Sequence, residues 1–373
     1  MPYSTDPADY NERDLIRVAE MHFVERATHA AIGEKLGIRP RARVVAMCEA
    51  ARRAGIVHVA IIPSRAMEGS RLRDLAAQVR ERFSLLDCVV VHGRSEMLQA
   101  PLPDNVREVI LDDIAREAAI QLDRRMGEAR SPCLAVTYGF VTRKVAEYLR
   151  PHAGLNRRGL VLAAQGARRL EMDRFDANNI VRDVARQFGC KYACMPIPAM
   201  VDAKDLEVVA NLPLVRQVLQ ALESQTNLVL ASLASHHQTD WQPRHDSLQN
   251  DLLTEEDMAG ITAAGGIGNV GGWWFDRDGE PVDYAKRLVV GLGLERMKRL
   301  VEERRPVILA VGADPTRVPS LAIALSARRP IANVWIGDEV TARILLGERR
   351  LECSHIRWRQ EEEQILASLA DSG

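Results

Sequence analysis

Apolar residues along this chain keep two different rhythms, and the change between them falls near residue 60. Before it the spacing is helical. Leu15, Val18, Ala19, His22 and Phe23 share one face of a helix that Asn11 or Asp14 can open, and Ile32 with Leu36 form the apolar side of a second helix. Thr28 is placed to cap that second helix, and Gly37 to end it. Past the turn Ile38-Arg39-Pro40 a third helix is expected from about Arg41 to Ala54, closed by Gly55 and followed by a strand from Ile56 to Ile62. A short helix, a tight turn and a longer helix make a helix-turn-helix.

Residues 63–70 read as a linker. Beyond them, apolar runs short enough for strands alternate with amphipathic segments: helix 71–83, strand 87–92, helix 105–126, strand 133–138, helix 142–149, strand 159–165, helix 176–188 and strand 191–197. A second series has helix 212–224, strand 227–233, helix 254–263, strands 270–275 and 307–312, helix 317–328, strand 331–336 and helix 338–346. Such alternation predicts an α/β fold with a doubly wound, mainly parallel sheet covered on both faces. The stretch Gly265–Gly279 departs from the pattern. Its six glycines, two adjacent tryptophans and closing Asp276-Arg277-Asp278-Gly279 predict a mobile loop leading into an apolar strand that reverses tightly. The tryptophans suit either a wall for a ligand or second subunit, or plain core filling. The tail, residues 348–373, is rich in Arg and Glu and reads as a solvated terminal helix.

Composition narrows the class without naming a function. In 373 residues, 47% are hydrophobic and 27% charged, which fits two or three soluble globular domains. The formal net charge is -1, so the chain as a whole is not coated in basic charge. Yet residues 39–53 hold Arg39, Arg41, Arg43, Arg52 and Arg53 against Glu49 alone. Arginines on the third helix are what contacts to nucleic-acid phosphates require, although a solvated helical face would look the same. Six cysteines, without a C-x-x-C pair, fit buried free thiols in a reducing cytoplasm. Neither Cys190 with Cys194 nor the histidines from His236 to His245 keep metal-ligand spacing, so no metal site is expected and the latter read as an exposed loop. No run reaches the length of a membrane span, and a cytoplasmic protein is expected.

Ligands of parallel α/β sheets sit at the carboxyl ends of the strands. Reading those ends gives a polar set. Tyr138, Gly139, Phe140 and Thr142 form a glycine turn into a helix whose free N–H groups suit an anion. Gln165 and Gly166 follow the next strand, with Arg168 and Arg169 behind them; Ser232 follows another, Gly268 and Asn269 lie in the glycine-rich loop, and Gly312-Ala313-Asp314 lead to Arg317. Each glycine turn alone is ordinary architecture. Five polar strand ends at equivalent positions, four of them with glycine, point to a polar, phosphorylated ligand.

Residues 28–38 (Thr-His-Ala-Ala-Ile-Gly-Glu-Lys-Leu-Gly-Ile) and Glu49 to Val57 resemble the winged-type helix-turn-helix of the SorC family of bacterial sugar-responsive transcription regulators. Gly265 to Asp276 is similar to that family's Gly-Ala-Val-Gly-Asp segment and Phe-Phe-Asp hairpin, with Asn269 at the Asp, and Asn333 to Glu339 to its closing strand. Arg317 stands where the family has a lysine near the phosphate, and Arg39-Pro40-Arg41 where it has Ser-Arg. The likeness runs from about residue 11 to 346. It implies a DNA-binding domain over 1–62, with Thr28, Arg39, Arg41, Arg43 and Arg52 at duplex operator DNA. It also implies a sugar-phosphate-isomerase-like effector domain over 71–347, no cofactor or catalytic residue, and a homo-oligomer, a tetramer. Departures at Asn269, Ala231-Ser232 and Tyr138 suggest an effector unlike the commonest sugars. The competing class is a sugar-phosphate isomerase with an accessory N-terminal domain. Isomerisation needs a carboxylate base, and Asp314 is the obvious acidic candidate at the strand ends.

Overall fold

The computed structural model describes residues 3–54, 56–57, 70–93, 104–150, 158–167, 176–235, 253–282, 287–349 and 358–371. The chain divides into two compact units, Met1–Met67 and Glu68–Gly373. In the first, helix α1 (Glu12–Ala19) starts where the Asn11 side chain accepts the Arg13 N–H at 2.9 Å, and it runs on into a π-helical turn, Glu20–Val24. Helix α2 (His29–Leu36) is capped by Thr28, whose Oγ1 accepts the Ala31 N–H at 3.2 Å. It ends at Gly37 in the left-handed conformation. Helix α3 (Arg41–Arg53) completes the helix-turn-helix. Gly33 allows the tight turn between α2 and α3, because a Cβ there would stand 2.7 Å from the Ile38 carbonyl oxygen. Leu15, Val18, Met21, Ile32, Val44 and Met47 are buried as this unit's own core. The expected strand and linker from 58 to 69 lie outside the described residues, as does any wing formed there.

The second unit opens with α4 (Ser70–Arg82) and is built on seven parallel strands: β1 (Asp87–Val91), β2 (Cys133–Val136), β3 (Leu160–Ala163), β4 (Lys191–Ala193), β6 (Leu228–Ala231), β11 (Val307–Ala310) and β12 (Val334–Asp338). Their order is β1-β12-β11-β6-β2-β3-β4. Strands β2, β6, β11 and β12 are buried at every position, which is why their sequences read as unbroken apolar runs. Crossovers α5 (Asp104–Glu128), α6 (Phe140–Tyr148), α7 (Ala177–Phe188), α8 (Leu206–Ala210) and α9 (Pro213–Ser224) link them. The chain winds outward from β2 through β3 to β4 on one side, and from β6 through β11 to β12 on the other. The sheet's switch point therefore lies between the neighbours β2 and β6. Among the described residues no helix is long and apolar enough to cross a membrane.

Several elements differ from the sequence expectation. The single strand at 270–275 is instead a hairpin, β8 (Gly268–Val270) and β9 (Trp273–Phe275), with β7 (Leu233–Ser235) paired antiparallel to β8. Gly271 and Gly272, with φ of 61° and 88°, make the reversal in two residues, a conformation side chains resist. The expected turn at Asp276 to Gly279 follows as a second reversal. Strands β5 (Met200–Asp202) and β10 (Arg287–Val289) pair in a separate antiparallel ribbon. The segment between 275 and 307 also holds a helix, Leu294–Glu302. Its inward face hides Arg296 and Lys298 beside Leu294, Met297 and Leu300, so charge masked the apolar period. The Lys298 ammonium is fully buried yet donates to Glu280 at 2.8 Å and pairs with Glu295 at 3.2 Å. The tail is not simply solvated: helix Gln360–Asp371 buries Leu369 and Glu362, and Arg82 donates to the Leu369 and Leu346 carbonyls.

Candidate functional site

The chain leaves β2 as Thr137-Tyr138-Gly139 and enters α6 at Phe140. It leaves the neighbouring β6 at Ser232, which is half-buried. These two exits face each other: a Cβ on Gly139 would stand 2.9 Å from the Ser232 Oγ and 3.4 Å from the Thr142 Oγ1. Gly139 has φ of 144° and gives α6 no side-chain cap; the Thr142 hydroxyl donates back to the Gly139 carbonyl at 3.0 Å. The first N–H groups of α6 thus have no side-chain cap, and the helix dipole favours an anion beside them. The β8–β9 turn closes over the same exit. A Cβ on Gly271 would meet the Thr137 Cγ2 at 2.9 Å, and one on Gly272 the Tyr138 hydroxyl at 3.0 Å. Trp273 fixes the turn from outside by donating its indole N–H to the Val289 carbonyl at 3.3 Å.

Two side chains here stand out by what they lack. The Thr137 Oγ1 and both amide atoms of Gln165 are buried with no hydrogen-bond partner among the described residues. Gln165 follows β3, the other neighbour of β2, and its backbone bridges to Gly291. A buried polar group left unpaired costs about 1–3 kcal/mol, so three such atoms beside one switch point call for a ligand that supplies partners. The position of Gln165 after a strand was legible in the sequence. Thr137 was not chosen there, although it is the first residue past β2.

Other expected site residues turn out to be committed elsewhere. The Asn269 side-chain oxygen accepts the Gly272 N–H at 3.2 Å, so it ties the hairpin turn. An aspartate would accept the same bond, and the departure at this position is no argument for an unusual effector. Gly268 is a packing glycine, since a Cβ would stand 2.4 Å from the Ser320 Cβ; at Gly166 one would stand 2.3 Å from the Ile197 carbonyl oxygen. Phe140 lies under the Lys144 ammonium, 5.1 Å from the ring centre. Arg317 is held by the buried Asp314 carboxylate at 3.0 Å and donates to the Leu233 carbonyl at 3.0 Å. Asp314 also receives the Thr316 hydroxyl at 2.7 Å and has the Arg107 guanidinium at 4.0 Å. Two arginines around one carboxylate leave this corner net positive, one residue from Ser232. Arg168, Arg169 and the histidine-bearing segment 236–245 lie outside the described residues.

In the N-terminal unit Thr28 is exposed and engaged as a helix cap, while Arg39, Arg41 and Arg43 are exposed around the start of α3. Arg52 faces Glu49 at 3.8 Å and stacks over Phe23 at 5.1 Å, which holds it against its own unit. The five described cysteines are free. Burial, with Asp87 adding to it, pushes the Cys88 thiol up to about 12, and burial pushes Cys133 up to about 11, so both are inert packing groups.

Comparison with known proteins meets this geometry from the outside. The family described as "Putative sugar-binding domain" matches residues 68–347. The transcriptional regulator LsrR of Klebsiella pneumoniae subsp. pneumoniae is 25% identical over 343 residues, 90% of this chain and 93% of that relative. The full-length sorbitol operon regulator SorC from Klebsiella pneumoniae has a TM-score of 0.61 at 17% identity, covering 89% of this chain and 98% of that one. A DeoR family transcriptional regulator from Listeria monocytogenes gives 0.59 at 19% identity, over 74% of this chain and 99% of the other. These structures share the fold.

Proposed function

Since the family match takes in 280 of its 373 residues, the chain belongs to the sugar-binding domain family, and from that premise we propose that it is a DNA-binding regulator of a carbohydrate or polyol operon. Its effector is a phosphorylated sugar or polyol bound at the β2/β6 switch point. The names of its relatives, a transcriptional regulator and an operon regulator, support the regulatory reading. The observation that carries the effector site is the group of unpaired buried atoms on Thr137 and Gln165, beside a helix α6 that begins without a side-chain cap. Sugar hydroxyls can both donate and accept, which suits an amide and a hydroxyl. A phosphate suits the α6 N–H groups, with Arg317 and Arg107 supplying positive charge from the neighbouring strand end. The isomerase reading is weakened by Asp314, which is buried and bound to Arg317 and Thr316 rather than free to act as a base.

DNA binding is assigned to residues 1–62, with Arg39, Arg41 and Arg43 at the phosphates. The test pairs two measurements on the full chain. A thermal-shift series of phosphorylated sugars and polyols should find a ligand that stabilises by about 2.7 kcal/mol at 100 times its dissociation constant. That ligand should change operator affinity, and by linkage the operator should change ligand affinity by the same factor. Arg41→Ala with Arg43→Ala should weaken operator binding and lower its salt slope by about 0.9 per lost phosphate contact, while leaving the thermal shift intact. Operator binding that survives removal of residues 1–62, or turnover of the ligand, would overturn the assignment.

A further inference from the structure

The N-terminal unit brings together three side chains whose atoms can ligate a metal ion. His22 comes from the π-helical turn, His29 from the first turn of α2, and Cys48 from the middle of α3. One ligating atom from each lies within 4.8 Å of the other two. In a tetrahedral zinc site with Zn–N of about 2.0–2.1 Å and Zn–S of about 2.3 Å, neighbouring ligand atoms stand about 3.4–3.6 Å apart. The cluster is therefore roughly an ångström from closing, a distance that rotation of two half-buried imidazoles can cover. We propose that His22, His29 and Cys48 bind one zinc-class transition-metal ion, with a fourth position open to water.

Three further features agree with this. The His22 Nδ1 lies 3.3 Å from the Ala27 carbonyl oxygen, and a carbonyl only accepts, so the contact suits the tautomer that carries its proton on Nδ1 and offers Nε2 to a metal. A metal-binding histidine is commonly oriented by such a bond from its other nitrogen. The rings of His22 and His29 stack with centres 4.2 Å apart, so the two imidazoles already stand side by side next to Cys48. Finally, His22 stands on the π-helical turn Glu20–Val24 that ends the first helix, and this turn sets its ring against that of His29. Binding replaces the S–H bond of Cys48 by an S–metal bond and releases that proton to solvent, with no change of oxidation state. The ion ties the end of α1 and the start of α2 to the centre of α3.

Cobalt and zinc titrations of the full-length protein test the site. One equivalent of cobalt should give the intense visible bands of tetrahedral coordination and a thiolate-to-cobalt charge-transfer band, both displaced by zinc. Cys48→Ser should abolish the charge-transfer band, and His29→Gln and His22→Gln should each weaken uptake by at least about tenfold. Cys190→Ser, in the other unit, should change nothing. Because Cys48 is buried and its variant could lose its fold, X-ray absorption on the zinc-loaded wild type gives an independent reading: one sulfur at about 2.3 Å and two imidazole nitrogens at about 2.0–2.1 Å. Absence of one-to-one uptake, a charge-transfer band that persists in Cys48→Ser, or a first shell without sulfur overturns the proposal.

Discussion

Gln165 is fully buried, and neither end of its amide is paired among the described residues. Compare Asp338: its two oxygens accept the N–H groups of Ala313, Val340 and Thr341 and the Thr341 hydroxyl, so its burial is compensated within the fold. The difference separates a group kept for structure from one kept for a ligand. Gln165→Met and Thr137→Val replace unpaired polar atoms by apolar groups of similar shape. Without ligand, each variant should therefore unfold in urea within about 1 kcal/mol of the wild type, or be more stable, because no hydrogen bond is lost. Both should lose the effector-induced thermal shift. Destabilisation well beyond that figure would mean that the amide or hydroxyl is already satisfied, and would remove the main support for the site. At this scale the sequence located strand ends but not loyalties. Position after a strand selected Gln165, Asn269 and Arg317 alike, whereas only contacts reveal that Asn269 serves its own turn and Arg317 its own aspartate.

Elements follow a similar division. Caps and periods in the N-terminal unit were legible because each rests on neighbours in sequence: Asn11 and Thr28 open helices and Gly37 ends one. Central strands were legible because both faces are buried and the apolar run is unbroken. The helix Leu294–Glu302 was not, because two of its inward positions are cations neutralised by glutamates, Lys298 by Glu280 and Glu295 and Arg296 by Glu303 at the helix end. Nor was the hairpin β8–β9, whose turn looked like part of one glycine-rich loop. That turn is rigid in its requirements: at Gly271 the backbone is left-handed, and a Cβ would stand 2.8 Å from the Trp273 ring and 2.9 Å from Thr137. Gly271→Ala should thus cost about 1–3 kcal/mol from backbone strain alone. By pushing the turn away from Thr137, it should also weaken the effector more than it weakens operator binding by the unliganded protein. Urea unfolding and paired binding titrations check both parts. An alanine variant that is stable and responds normally would show that the turn does not roof the crevice.

For the whole molecule, the second unit leaves apolar area that its own core does not use. Val208 is 70% exposed, Leu212 46% and Leu214 64%, and all three fall within the short α8 and the start of α9. Tyr192 is 49% exposed on β4, the last strand of the seven-stranded sheet, which among the described residues pairs with β3 alone. Single exposed leucines mean little, but three large apolar side chains exposed within one short stretch are what an interface between copies would cover. A helix-turn-helix protein also gains from pairing, since two units on one molecule read two half-sites with a fixed spacing. The chain should accordingly form a homo-oligomer through its second unit. Sedimentation at micromolar concentration should show an assembly larger than one 41.5 kDa chain. Val208→Glu together with Leu214→Glu should shift it toward smaller species and weaken operator binding. Because these side chains stand on α8 and α9 and not at the exits of β2 and β6, the effector-induced thermal shift should remain in the double variant. A wild type that sediments as a monomer with and without operator DNA would exclude assembly, and a double variant that stays assembled would move the interface away from α8 and α9.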